Sequence, residues 1–269
     1  MDISIIIVNF RSEGLTRECV KEFTHLDTHL SKEIIVVDSS PGRGMETVLA
    51  ERFPHVQYIS MGGNKGLSKA NNVGARNATG KYILICNPDV TPRAGSLQTM
   101  VQYLEDHPEV GLVGPQLHNP DGSVQQSYYR FLRPLTPLYR RTIFSRTWMG
   151  KRHLQHYLMR DIQGKGPMPV DWLLGASLCM RKVDYEAVGM MDESFFLYFE
   201  DVDLCRSFWK AGKAVHYVPD AKMVHLHRRE SAGLGAADIF KNITRVHIAS
   251  CVKYFVKHGV SHYEPTSFT

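Results

Sequence analysis

Residues 83–89, Ile-Leu-Ile-Cys-Asn-Pro-Asp, constrain the fold more than any other stretch. Four consecutive apolar residues without alternation read as a strand covered on both faces, as in the middle of a parallel sheet. Pro88 has no N–H to give a ladder and ends the strand. Asn87 and Asp89, two apart, then project together just past its carboxyl end. That edge is where open α/β sheets bind their ligands. On these residues alone two readings stand. One is a polar turn after a core strand; the other is a carboxylate placed for a hard divalent cation and the diphosphate it neutralises.

The residues around this strand supply the rest of a sheet. Ile3 to Phe10 is a first buried strand. Ser12 is a candidate N-cap for a helix with Leu15, Cys19, Phe23 and Leu26 on one face,. Glu33 to Asp38 is a second strand, so the sheet starts as a parallel βαβ unit. A short third strand, Val56 to Met61, precedes Gly62-Gly63-Asn64-Lys65-Gly66 and a helix carrying Leu67, Ala70, Asn71 and Asn72. Ser96 to His107 reads as a further helix and Val110 to Leu117 as a strand, followed by the turn Asn119-Pro-Asp-Gly122. Beyond Val170 come strand-like apolar sequence, the acidic run Glu200-Asp201-Val202-Asp203 opening a helix, and short strands at Val215 to Val218 and Met223 to Leu226.

With 269 residues, 43% apolar and 22% charged, the chain has the make-up of a folded globular protein able to bury a large core,. Five scattered cysteines with no CxxC pair argue against a disulfide framework and a cysteine zinc site, and favour a reducing compartment,. No apolar run approaches the roughly 18–20 residues that span a bilayer, and the amino terminus enters a strand without a signal-peptide pattern. The expected location is therefore the cytoplasm, with contact to the inner face of the cell membrane as a further expectation.

That expectation rests on two segments. Between Ser127 and Pro169 nine Arg or Lys face a single acid, Asp161, and Phe131, Leu132, Leu135, Tyr139, Phe144 and Trp148 are interleaved. Ala236 to His258 reads as an amphipathic helix with Ile239, Ile243, Val246, Val252 and Phe255 on one side and Lys241, Arg245, Lys253 and Lys257 on another. Both suit an anionic lipid surface, and both also read as solvated basic faces. Nucleic acid is the weaker reading, because no nucleic-acid-binding motif accompanies the charge.

Taken in order, the motifs resemble the family 2 inverting glycosyltransferases of GT-A fold, in particular the rhamnosyltransferase-like enzymes of bacterial surface polysaccharide synthesis. The carriers are Ile-Ile-Ile-Val-Asn-Phe at 5–10, Val-Val-Asp-Ser-Ser at 36–40, Asn-Lys-Gly-Leu-Ser-Lys-Ala-Asn-Asn at 64–72 and Asn-Pro-Asp at 87–89. Trp-Leu-Leu-Gly-Ala at 172–176, Tyr-Phe-Glu-Asp-Val-Asp-Leu-Cys at 198–205, and Val-His at 224–225 with Ser231 beyond complete them. Each is weak singly; their order and spacing are specific. The resemblance implies a single α/β domain over 1–235, Rossmann-like with a mostly parallel central sheet flanked by helices. Within it, 1–118 forms a nucleotide-binding half, 119–169 a basic connector and 170–235 an acceptor half; 236–269 is a C-terminal amphipathic helical segment.

It also implies roles. Val8, Asn9 and Phe10 hold the nucleotide, Asp38 its pyrimidine or ribose, and Asn64, Lys65, Gly66, Asn71 and Asn87 complete that site. Asp89 and His225 hold Mg²⁺ or Mn²⁺; the usual acid pair is here Asn87…Asp89, so the nucleotide must supply more of the coordination. Asp201 is the general base that in-line displacement at the anomeric carbon requires. Glu200 contacts the acceptor or orients Asp201, and Trp172 and Gly175 border the acceptor. Asp38 as a turn cap, Asn71 as a structural residue, His225 as a core histidine and Trp172 as plain core stand beside these roles. The donor is a dTDP- or UDP-sugar and the acceptor a glycan or lipid-linked glycan. Nucleotidyl transfer and dinucleotide oxidoreduction lack their glycine-rich loop after the first strand, since Asn9-Phe10-Arg11-Ser12-Glu13 supplies none,. A catalytically inactive binding relative is favoured only by Asn87.

Overall fold

The computed structural model describes residues 1–162, 166–226 and 242–260. Lys165, His227, Ser231, Ile239 and Lys241 lie outside the described residues, as does the start of the expected last helix, Ala236 to Lys241.

The chain begins β1 (Ile3–Asn9), α1 (Glu13–His25), β2 (Lys32–Asp38), α2 (Met45–Arg52), β3 (Gln57–Ser60), α3 (Leu67–Asn77) and β4 (Tyr82–Cys86). These strands pair in parallel as β3-β2-β1-β4, with Ile5 opposite both Ile34 and Leu84. Every residue of β1 and β4 is buried, which is why neither alternates in sequence,. α2 escapes a periodicity reading because it is eight residues long and buries only Met45 and Leu49.

Next come β5 (Val90–Pro92), α4 (Ser96–Asp106), β6 (Val110–His118), β7 (Tyr128–Tyr129), α5 (Thr136–Arg141), a 3-10 turn at Ile143–Arg146, and α6 (Trp148–Tyr157). The expected connector is thus an excursion containing two helices. β8 (Met168–Pro169), β9 (Trp172–Leu173), β10 (Ser177–Arg181), α7 (Lys182–Ala187), α8 (Glu200–Lys210), β11 (Ala214–His225) and α9 (Asn242–His258) complete the described elements. The sheet runs β3-β2-β1-β4-β10-β6-β11-β5, with β8 added beside β11. β10 enters antiparallel between β4 and β6, and β11 lies parallel to β6, so the sheet is mixed. The two strands expected at 215–218 and 223–226 are one strand, its register shifted between Val218 and Lys222 around Pro219,.

α9 keeps part of its expected face, with Phe255 packed against the core and Ile243 and Val246 half-buried. Thr244, Ser250 and Tyr254 are buried, while Val252, assigned inward from periodicity, is exposed with Ile248 and Val256. The cause is a polar seat. Asp203 on α8 accepts from Lys257 Nζ at 2.9 Å and meets His258 Nε2 at 2.6 Å, and Arg206 donates to the Tyr254 hydroxyl at 3.1 Å. Those contacts turn the helix so that the apolar residues spaced by four face outward.

Candidate active site

The carboxyl ends of β1 and β4 open on a cleft of about 560 Å³. Val8, Phe10, Asn64, Gly66, Asn87 and Asp89 line it together, joined by Phe196 and Leu197 from the loop before α8. Gly66, at φ +96°, has a packing reason: a Cβ there would lie 3.0 Å from the Phe196 carbonyl, to which Leu67 N–H donates at 2.8 Å,. Lys65 is exposed and does not line the cleft.

Asn9 and Asp38 are fully buried and bonded to each other, Asn9 Nδ2 donating to Asp38 Oδ1 at 2.9 Å. Asn9 Oδ1 accepts from Ser12 and Thr16, so it fastens the start of α1 to the end of β1. Asp38 also accepts from Ser40 N–H at 2.8 Å and the Tyr58 hydroxyl at 2.9 Å. Burial, then Asp38, pushes Tyr58 up to about 12,. Asn71 is buried against Met191 Sδ and is absent from the cleft lining; its neighbour Asn72 binds Met191, Glu193 and Tyr185.

The strand pairing explains how Asp89 meets His225. β5 runs antiparallel to β11 with Val90 opposite His225, and Asp89 O accepts from Leu226 N–H. Asp89 Oδ1 lies 3.4 Å from His225 Nε2. Gln125 Oε1 lies 2.7 Å from His225 Nδ1, and Gln125 Nε2 in turn donates to Asn119 Oδ1 at 3.1 Å. That amide orientation makes Nδ1 the donor and leaves the Nε2 lone pair toward Asp89 in the neutral ring. A carboxylate and an imidazole oriented by an outer hydrogen bond fit a divalent cation whose remaining positions come from a diphosphate. Among the described residues no group of three His, Cys, Asp or Glu converges, so protein ligands alone do not complete such a site.

Asp201 and Glu200 occupy the first turn of α8, delivered there by Tyr198 and Phe199 at φ +68° and +69°, a left-handed conformation costly for side chains of this size,. Asp201 Oδ2 accepts from Gly175 N–H and Oδ1 from Val202 N–H, each at 2.9 Å. A Cβ on Gly175 would stand 3.0 Å from that of Asp201, so any larger residue would press on the Asp201 side chain. Burial raises the Asp201 carboxyl while these two donors lower it. Burial, then the Asp201 charge, raises Glu200 to about 8, and Glu200 Oε2 is buried with no hydrogen-bond partner among the described residues. The donors therefore favour the anion on Asp201 and leave the proton on Glu200.

Backbone pairing links the segments that carry the two acids, Asp89 and Asp201, although Asp201 does not itself line the cleft. Asn87 N–H donates to Ala176 O at 2.9 Å, and the adjacent Gly175 donates to Asp201. Trp172 does not offer its ring there: it is 5% exposed, stacks on Tyr129 at 4.5 Å and donates from Nε1 to Arg130 O. Gln125, Tyr58 and Phe196 escaped the sequence reading because none sits in a motif; their roles arise from pairings across the fold.

Comparison with known proteins agrees with this architecture. Residues 4–162 match the family described as Glycosyl transferase family 2. The N-acetylglucosaminyl-diphospho-decaprenol L-rhamnosyltransferase of Mycobacterium tuberculosis is 28% identical over 77% of this chain and 70% of its own length. Rhamnosyltransferase WbbL of Escherichia coli K12 is 24% identical over 96% and 94%, and dTDP-rhamnosyl transferase RfbF of Shigella flexneri 26% over 83% and 69%. Among solved structures, GalNAc-T7 with UDP, GalNAc and Mn²⁺ superposes with TM-score 0.65 at 16% identity, over 91% of this chain and 47% of that one. The mannosyltransferase PcManGT from Pyrobaculum calidifontis, with GDP-Man and Mn²⁺, gives 0.62 at 18% over 98% and 65%. The chain belongs to glycosyl transferase family 2, as a rhamnosyltransferase-like, nucleotide-sugar-dependent hexosyltransferase of GT-A fold.

Proposed function

We propose that the protein transfers rhamnose from a dTDP donor, with inversion, to a hydroxyl of a lipid-linked glycan in surface polysaccharide synthesis, a UDP-sugar being the alternative donor. The similarity to three proteins named as rhamnosyltransferases supports the sugar. The observation that supports the chemistry is the short bridge Asn87–Ala176–Gly175–Asp201, which ties a buried carboxylate to the strand end that Asn87 and Asp89 follow.

In this reading residues 1–118 bind the donor, with Val8, Phe10, Asn64 and Gly66 around the nucleotide and Asn9 and Asp38 supporting them. Residues 170–235 serve the acceptor. Asp201 takes the proton of the attacking hydroxyl as its oxygen bonds to the anomeric carbon and the bond to the diphosphate breaks. Such assistance contributes about 10²–10⁴-fold. Glu200, kept neutral, lies buried beside Asp201 and leaves the charge of the pair there. Asp89 and His225 would hold Mg²⁺ or Mn²⁺, which when bound takes up charge on the departing diphosphate. Among the described residues no helix is long and apolar enough to cross a membrane, and exposed basic and aromatic side chains on residues 140–152 support peripheral contact with the inner membrane face.

Asp201→Asn tests the mechanism. Transfer falls by about 10²–10⁴-fold while the thermal shift given by the preferred sugar nucleotide, found by screening a panel, stays as in the native protein. Undiminished transfer removes Asp201 from the mechanism. Nucleotide binding by the native protein with no transfer to any acceptor would favour the inactive binding relative that Asn87 suggests.

A further inference from the structure

The excursion between β7 and β9 carries a cation with no carboxylate partner among the described residues. Tyr129 stacks on Trp172 at 4.5 Å and on Tyr157 at 5.2 Å. The Arg140 guanidinium lies 5.9 Å from the Tyr129 ring centroid and 5.4 Å from that of Tyr157, and donates to the Tyr157 hydroxyl at 3.2 Å. Its residue is exposed, and among the described residues no carboxylate pairs with it. Arg130, on the same excursion, is by contrast bound to Asp161 at 2.7 Å. A planar guanidinium fixed by aromatic faces, with its remaining N–H groups open, is built for a phosphate.

The position of this cation relates it to the base. Trp172, at the bottom of the stack, is three residues before Gly175, which donates to Asp201. Burial raises the Tyr157 phenol, and Asp201 adds to that rise. Directly after Arg140 in the chain, Ile143 (77% exposed), Phe144, Trp148 (73%) and Met149 stand in solvent. Exposed Arg146, Lys151 and Arg152 alternate with them, Arg152 lying 5.7 Å from the Trp148 ring. Apolar and basic side chains mixed in this way suit the boundary between headgroups and acyl chains.

We propose that this excursion is the acceptor's docking surface: Arg140 binds the phosphate or diphosphate of a glycosyl lipid whose chain rests on Ile143, Phe144, Trp148 and Met149, presenting the sugar to Asp201. The inference rests on the transferase reading and adds the residues that choose a lipid-phosphate acceptor.

The test is flotation with phosphatidylcholine vesicles doped either with a polyprenyl diphosphate or, at matched charge, with phosphatidylglycerol. The native protein binds the diphosphate vesicles about tenfold more tightly, as one charge-assisted bidentate contact allows. Arg140→Gln abolishes the preference, Arg140→Lys keeps part of it, and Trp148→Ser weakens binding to both vesicles. Each variant retains the nucleotide-induced thermal shift, which also reports folding. Equal binding of the native protein to both vesicles, as a simple anionic-membrane surface would give, overturns the proposal, as does an unchanged Arg140→Gln; unchanged binding by Trp148→Ser overturns its apolar half. Loss of these preferences with nucleotide binding intact leaves the transferase reading standing, whereas absence of any nucleotide-induced shift in the native protein strikes that reading instead.

Discussion

Glu200 and Gln125 are the side chains at which local chemistry decides most. Glu200 has a neighbour that holds the charge and an environment that resists a second one,. Its folded value lies above that of the unfolded chain, so between the two values the native state binds the extra proton. Stability is then full at lower pH and declines as pH rises through the folded value of Glu200. Glu200→Gln should flatten this decline, seen as urea midpoints that fall less between pH 4.5 and about 8 than those of the native protein,. Gln125 acts on His225 from the far side of the ring. Gln125→Ala frees the ring and should weaken Mn²⁺-dependent nucleotide binding by about 10–100-fold, the usual effect of losing such an outer bond; calorimetry with and without Mn²⁺ measures it. Sequence reasoning reached Glu200 and missed Gln125, since only the register of β6, β11 and the turn at 119–122 brings residues 100 apart together.

Among elements, α8 and α9 form the pair on which the proposed base, Asp201, depends. Asp203 and Arg206 are buried on α8, and their charges are met by Lys257, His258 and the Tyr254 hydroxyl of α9. Tyr254→Ala opens a cavity and leaves Arg206 short of a partner. It should lower stability by about 3–5 kcal/mol, read as a drop in the urea midpoint. The presence of a last helix was legible from its apolar periodicity, but its orientation was not. Periodicity set Val252 inward with Phe255, whereas the polar partners on α8, 48 to 55 residues upstream, bury Thr244, Ser250 and Tyr254 instead. α2 and α7 were missed for a related reason: α2 buries two residues and α7 only Tyr185, too few for a period to emerge.

At the scale of the whole molecule, the parallel half was written plainly, because β1, β2 and β4 are buried runs that end in polar residues at one edge. The antiparallel insertion of β10 left no such mark, since a strand covered on both faces reads alike in either direction,. The polar residues at the sheet edge were legible as a set, whereas their division into cleft wall and buried support was not: Asp38 and Asn9 look no different in sequence from Asn87. The dependence of α8 on α9 carries a consequence for biosynthesis. α9 is the last of the described elements to leave the ribosome, and until it docks Asp203 has neither Lys257 nor His258 to meet it. A nascent chain can thus pair its parallel strands early, while α8, the helix that carries the proposed base Asp201, gains its buried ion pairs only once His258 has been made.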